Sequence, residues 1–152
     1  MIDSIIIRKA NESDLEAILA LIDSSKANNS KPMQLHDANT IYQSMLDDSN
    51  YFQIIASTEQ AIVGVITLVI IMQMTHEGAS TAFINDLIIS NTIEDTIEKK
   101  TIANDLLKYT THLAQEYGCH KAIIQSDYQY ELVEEICLQL GLKKNTHSFE
   151  LE

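Results

Sequence analysis

The chain has 152 residues, carries 22 acidic against 10 basic side chains for a formal net charge of −12, and is 45% hydrophobic. That is material for a single domain over 1–152, long enough to bury roughly 70% of the surface its unfolded form exposes. The charge argues against nucleic acid and anionic membranes as partners, because both require a lysine and arginine footprint and none is visible. It favours a cationic small molecule or a basic protein tail, although surface acidity also serves solubility alone. Cys119 and Cys137 lie in mostly apolar segments without a spacing partner, which argues against a disulfide framework and for a reducing, cytoplasmic setting. The longest apolar run, Ala61 to Met72, has 12 residues, short of the roughly 20 a spanning helix needs, and no signal-peptide pattern is expected.

Ile5-Ile6-Ile7 is a β-branched run, and beyond Asn11-Glu12-Ser13-Asp14 the residues Leu15, Ile18, Leu19 and Ile22 recur at helical spacing. Ser13 and Glu16 have the spacing of a capping box, so the first helix is expected to start near Asp14. Ser24 to Leu35, with Asn28-Asn29-Ser30 and the sole proline, Pro32, reads as a polar, substrate-accessible loop. Ala38, Ile41, Tyr42, Met45 and Leu46 mark a second helix, ended by the turn residues Asp47-Asp48-Ser49-Asn50. Tyr51 to Ala56, Ala61 to Met74 and Ala82 to Ile89 then read as three strands, joined by hairpins at Ser57-Thr58-Glu59-Gln60 and Thr75-His76-Glu77-Gly78.

Ile102, Leu106, Tyr109 and Leu113 mark a long helix, with Gly118 placed for a left-handed cap. Ala122-Ile123-Ile124 is the next strand. Leu132, Val133, Ile136, Cys137 and Leu140 share a face of the last helix, which closes at Gly141, and Ser148 to Leu151 reads as a final strand. The order is βααβββαβαβ, an α+β fold whose mixed, mostly antiparallel sheet is flanked by helices.

This order, with the strings IIIRKANESDLEAILALI, AIVGVITLVI, FINDLIIS, ANDLLKYTTHLAQEYGCHKAII and LQLGL, resembles the GNAT superfamily of N-acetyltransferases, which move an acetyl group from acetyl-CoA to an amine. The resemblance spans nearly the whole chain and implies the GNAT fold. In that family a glycine-rich loop opens the long helix and offers backbone N–H groups to the pyrophosphate. Aligned without a gap, that loop falls on Glu98, Lys99, Lys100, Thr101, Ile102 and Ala103, of which only Ala103 keeps the pattern. Asp95 and Glu98 have capping-box spacing, which sets carboxylates at the positive end of the helix. Lys99 and Lys100 can compensate if they turn inward; otherwise these residues are a solvated first turn.

The resemblance further implies that the backbone of Leu87, Ile88 and Ile89 holds the pantetheine arm and the acetyl carbonyl. The position of the family's catalytic glutamate is Asn85, whose amide cannot act as a base, so the candidate moves to Asp86. On a regular strand Asp86 faces the opposite side, and its other reading is a structural hydrogen bond. The family's general-acid tyrosine corresponds to Cys137. A thiol with an ordinary pKa near 8.5 can protonate a leaving thiolate, and on the apolar face of a helix it can equally be core packing. Tyr130 lies on that face roughly 10 Å away along the axis.

No metal site is expected, since Cys119 and His120 are adjacent on a strand and face opposite sides. His76, Glu77 and His36 line an acceptor pocket or are simply surface residues. Asp127, Glu131, Glu134 and Glu135 gather acid at the start of the last helix, which suits a cationic amine and also suits the helix dipole. The preferred reading is an acetyl-CoA-dependent N-acetyltransferase acting by direct attack of a primary amine on a small molecule or basic peptide, with proximity supplying much of the rate. A GNAT-fold binding or regulatory module without conventional CoA binding is the alternative, favoured by Glu98, Cys137 and Asn85. An acidic partner for a basic protein is supported by charge alone. A homodimer is among the assemblies the resemblance implies.

Overall fold

The computed structural model describes residues 4–25, 32–126, 129–145 and 147–151. In chain order its elements are β1 (Ile6–Lys9), α1 (Leu15–Ser24), α2 (Leu35–Asp47), β2 (Tyr51–Ser57), β3 (Ile62–Ile71), β4 (Ser80–Ile89), α3 (Thr96–Glu116), β5 (Cys119–Ile124) and α4 (Tyr130–Gln139). The strands form one sheet in the order β1-β2-β3-β4-β5. The first four are antiparallel neighbours joined through hairpins or, between β1 and β2, through the two helices. β5 runs parallel to β4 and so needs a crossover, which α3 provides.

Alternation of side chains divides the sheet into two apolar faces. Ile54, Ile66, Leu68, Ile84, Leu87 and Ile89 pack with Ile102, Leu106 and Leu107 of α3 and Val133 and Ile136 of α4. On the other face Ile55, Val65 and Ile88 pack with Ile18 and Leu21 of α1 and Tyr42 of α2. One contact sets how closely α3 can approach. A Cβ on Gly64 would lie 3.0 Å from Leu106 Cδ1, 3.2 Å from Ile102 Cγ2 and 3.3 Å from Ile89 Cδ1. Glycine there lets the first half of α3 rest on the ends of β3 and β4.

The entry to α1 differs from expectation. The chain first makes a 3-10 turn at Glu12–Asp14, and the capping box is Asn11 with Asp14 instead of Ser13 with Glu16. Asn11 Oδ1 accepts from Ser13 N at 2.9 Å, and Asp14 Oδ2 accepts from Asn11 N at 2.8 Å. The reason lies outside the local sequence: Arg8 on β1 donates to both Asp14 oxygens at 2.7 and 2.9 Å, and Tyr42 of α2 donates its hydroxyl to Asn11 O at 2.7 Å. Asp14 is therefore drawn inward as the junction of β1, α1 and α2. Its carboxyl is held below the usual carboxylate value by the Arg8 hydrogen bond, and burial pushes the Tyr42 phenol up to about 12.

The expected final strand does not form. Residues 147–151 have no strand structure, and Phe149 and Leu151 are fully exposed. Alternation specifies which way side chains would point but not which backbone edge would receive them. Of the expected polar loop at 24–35, residues 26–31 lie outside the described residues.

Two substitutions test these contacts. Gly64→Ala overpacks the α3 seat and should cost about 1–3 kcal/mol in urea denaturation. Asp14→Asn should cost about 2 kcal/mol at neutral pH. Because the native pKa of Asp14 is depressed, its contribution is complete above the ordinary value of 3.8 and is lost as pH falls through the native value. The gap between wild type and Asp14→Asn should thus close in acid, below the ordinary carboxylate range.

Candidate active site

β4 and β5 pair from Ser80 and Cys119 to Ile84 and Ile124, and the last bond joins Gln125 N to Ile84 O at 2.9 Å. Beyond Ile84 no pairing with β5 occurs among the described residues. β4 nevertheless stays bound to β3, with Ile88 opposite Val65, Ile89 opposite Gly64, and Ser90 N donating to Val63 O at 2.8 Å. The two parallel strands therefore part, and the edge of β4 over 85–89 faces the gap. Backbone groups on such an edge need partners, from water or from an extended ligand carrying amides.

The parting begins at a bulge. Val65 pairs with Ile88 but Thr67 with Asn85, so β4 holds one residue more than β3 there. The extra residue is Asp86, with φ of 56°, a left-handed conformation that aspartate tolerates better than most residues. On a regular strand Asp86 would share the face of Ile84 and enter the core. With the bulge, Leu87 takes that place and Asp86 is exposed.

Asn85 lies on the α1–α2 face, opposite Thr67. Gln53 Nε2 donates to Thr67 Oγ1 at 2.7 Å, so Gln53, Thr67 and Asn85 form a polar row across β2, β3 and β4. Asn85 Oδ1 is buried and has no hydrogen-bond partner among the described residues. A buried acceptor left without a donor costs about 1–3 kcal/mol. Gln129, which opens α4 a few residues past the last β5 bond, has a buried Oε1 in the same state. Tyr51 shares the face of Gln53. Burial, and then the charges of Asp86 and Asp48, push its phenol up, so it stays a proton donor at neutral pH. Gln53, Thr67, Tyr51 and Gln129 were not picked out by motif or spacing. For the first two, a lone polar residue inside an otherwise apolar strand was the available signal.

The other expected residues take several positions. Leu87, Ile88 and Ile89 are only 2%, 3% and 1% exposed, with their side chains packed into the two apolar cores. Asp95 caps α3, its Oδ1 accepting from Ile97 N at 2.8 Å. Ile102 and Ala103 are wholly buried within α3, and Thr101 donates its hydroxyl to Ile97 O at 3.0 Å. Lys100 does not turn inward: its Nζ pairs with Glu135 Oε1 of α4 at 3.0 Å. That leaves half-buried Lys99 as the cation of this turn. The segment is a self-capped helix start, and it does not fit a diphosphate as a glycine loop does.

Cys137 is half-buried against the α3–α4 core, and Tyr130 sits exposed at the start of α4. Both belong to the side of the sheet opposite Asn85. Lys144 Nζ lies over the Tyr130 ring, 5.7 Å from its centroid, and pairs with Glu134 at 3.3 Å; the nearness of these two groups raises the lysine's pKa. Of the expected acidic group, Glu134 and Glu135 thus pair with Lys144 and Lys100, Glu131 is exposed, and Asp127 lies outside the described residues. His36 is exposed on the first turn of α2, and His76 packs away from the gap against His120. Among the described residues no helix is long and apolar enough to cross a membrane.

No protein-family model matches the sequence, and no curated protein matches it. Solved structures do. A transcriptional regulator from Bacillus halodurans is 21% identical with a TM-score of 0.82, over 98% of this chain and 99% of that one. An acetyltransferase from Trypanosoma brucei is 18% identical with a TM-score of 0.80, over the same shares. A GNAT family acetyltransferase from Staphylococcus aureus is 19% identical with a TM-score of 0.69, over 98% of each chain. The chain thus has the GNAT fold, along essentially its whole length.

Burial raises the pKa of both thiols, Cys119 and Cys137. At about pH 8 each should be alkylated by iodoacetamide more slowly than free cysteine, which peptide mass spectrometry of the time course checks.

Proposed function

We propose that the protein is an N-acetyltransferase that takes its acetyl group from acetyl-CoA in the β4–β5 gap and delivers it to a primary amine, on a small molecule or a basic peptide, lying on the α1–α2 face. The observation that carries this reading is the bulge at Asp86, which parts the strands beside the orphaned Asn85 oxygen. The parted edge of β4 fits a pantetheine arm, whose amides need backbone partners. Acetyl-CoA would supply an activated thioester there, and its diphosphate would have no glycine cradle.

The chain's own groups account for the acceptor side. Asn85 Oδ1 can accept one N–H of the amine and orient its lone pair toward the gap, while the Gln53–Thr67 bond holds the row in register. Asp86, exposed at the bulge, adds negative charge that draws a cationic amine to this face, and a net charge of −12 aids its approach. Tyr51 remains protonated and supplies a hydroxyl. Orientation of this kind is the main resource for a site without a glutamate base or a tyrosine acid at the family positions.

A second reading, a binding or regulatory module on the same fold, is favoured by the self-capped α3 and the Lys100–Glu135 pair. Calorimetry with acetyl-CoA and with S-acetylpantetheine, which lacks the diphosphate, separates the two. The enzyme reading expects both to bind within about tenfold of one another, a difference of no more than about 1.4 kcal/mol. It also expects Asn85→Leu to lower turnover of an amine panel by tenfold or more. Absence of heat with either thioester at millimolar concentration, in protein that melts normally, would remove the enzyme and leave the module.

A further inference from the structure

At the end of β4 remote from the gap, the connection from β3 folds onto the start of β5. His76, Glu77 and Gly78 have φ of 54°, 59° and 81°, three successive left-handed residues of which only the last is glycine. A strained turn of this kind persists when surrounding contacts hold it, and such turns gather at functional sites. Its effect is to lay the His76 ring against that of His120 on β5, with centroids 4.3 Å apart and planes inclined by 30°.

His120 is itself oriented from below. Its Nε2 lies 3.4 Å from both Thr81 Oγ1 and Gln73 Oε1, and the Thr81 hydroxyl donates to Gln73 Oε1 at 2.7 Å. With the Thr81 hydroxyl donating to Gln73, and a carbonyl oxygen only accepting, the tautomer of His120 that fits both oxygens carries its proton on Nε2. Nδ1 is then left with its lone pair. An imidazole held by one N–H on an oxygen, with the other nitrogen free, is how metal-ligating histidines are positioned. Thr81 is 5% exposed, so the orienting pair is fixed beneath two exposed rings.

We infer that His76 and His120 bind one divalent transition-metal ion of the zinc, nickel and copper class, with Gln73 and Thr81 as positioning residues for His120. Imidazole nitrogen suits these ions, whereas calcium and magnesium require oxygen ligands. Among the described residues no three or more His, Cys, Asp or Glu side chains form a metal-holding group. The ion therefore takes two protein nitrogens and keeps water in its remaining positions, so the site is open. When bound, the metal clips the turn at 76–78 to β5, and the acidic surface raises the local concentration of cations. The inference is independent of the acetyl-transfer reading.

The test is titration of tag-free protein with Cu2+, Ni2+ and Zn2+ by calorimetry, with copper expected to bind most tightly. One equivalent should bind saturably and raise the melting temperature. His76→Ala and His120→Ala should each abolish that equivalent or weaken it by more than tenfold, Gln73→Ala should weaken it by about tenfold, and His36→Ala, on the first turn of α2, should leave it unchanged. The Cu2+ electron paramagnetic resonance spectrum should show two nitrogen couplings in the wild type and fewer in either histidine variant. No saturable binding, or an equivalent that survives both histidine substitutions in proteins with normal circular dichroism, would overturn the inference.

Discussion

The arrangement around the candidate site depends on one extra residue in β4. The pleat of a strand allots its side chains to alternate faces, and the run from Ile84 to Ile89 cannot satisfy that rule without burying Asp86. Inserting Asp86 as a bulge resolves the conflict: the carboxylate goes to solvent, Leu87 enters the core in its place, and Asn85 and Ile88 share the α1–α2 face. Pairing with β5 stops at Ile84, just before the same bulge. Avoiding a buried charge and parting β4 from β5 are here a single geometric event.

The gap stays open because its walls are anchored on both sides. β3 holds β4 through Gly64 and Val65, and α3 lies close over that pair because residue 64 has no side chain. On the other face, Asp14 collects Arg8, the Asn11 amide and, through Asn11, the Tyr42 hydroxyl, which fixes α1 and α2 above the polar row. The start of α3 is anchored differently from a phosphate-binding helix. Its first-turn donors face the chain's own Asp95, and its lysine reaches sideways to Glu135.

Polar residues in the strands show how far local pattern reaches. Gln53 and Thr67 each interrupt an apolar run, which marks them as unusual, but only the register of β2 on β3 brings them within 2.7 Å. Asn85 was legible as a position in the fourth strand, and its unpaired oxygen was not, because an amide's partners come from neighbouring chains. Gln129 had no signal at all, since its role depends on the left-handed turn that opens α4. His120 was legible as a lone histidine on a strand, facing away from Cys119. Its pairing with His76 required the three left-handed residues of the β3–β4 turn.

By itself, the sequence determined the kinds of element, their order and which face of each is apolar, because the 3.6-residue and 2-residue periods of apolar side chains are local properties. It also determined that α3 begins with a carboxylate cap and no glycine. The tertiary structure decided where β4 bulges, which polar groups converge, where Asp14 rather than Ser13 controls the entry to α1, and that Ser148 to Leu151 gains no strand partner. Those outcomes depend on competition among distant groups for a limited set of hydrogen bonds and buried positions, and no window along the chain contains both competitors.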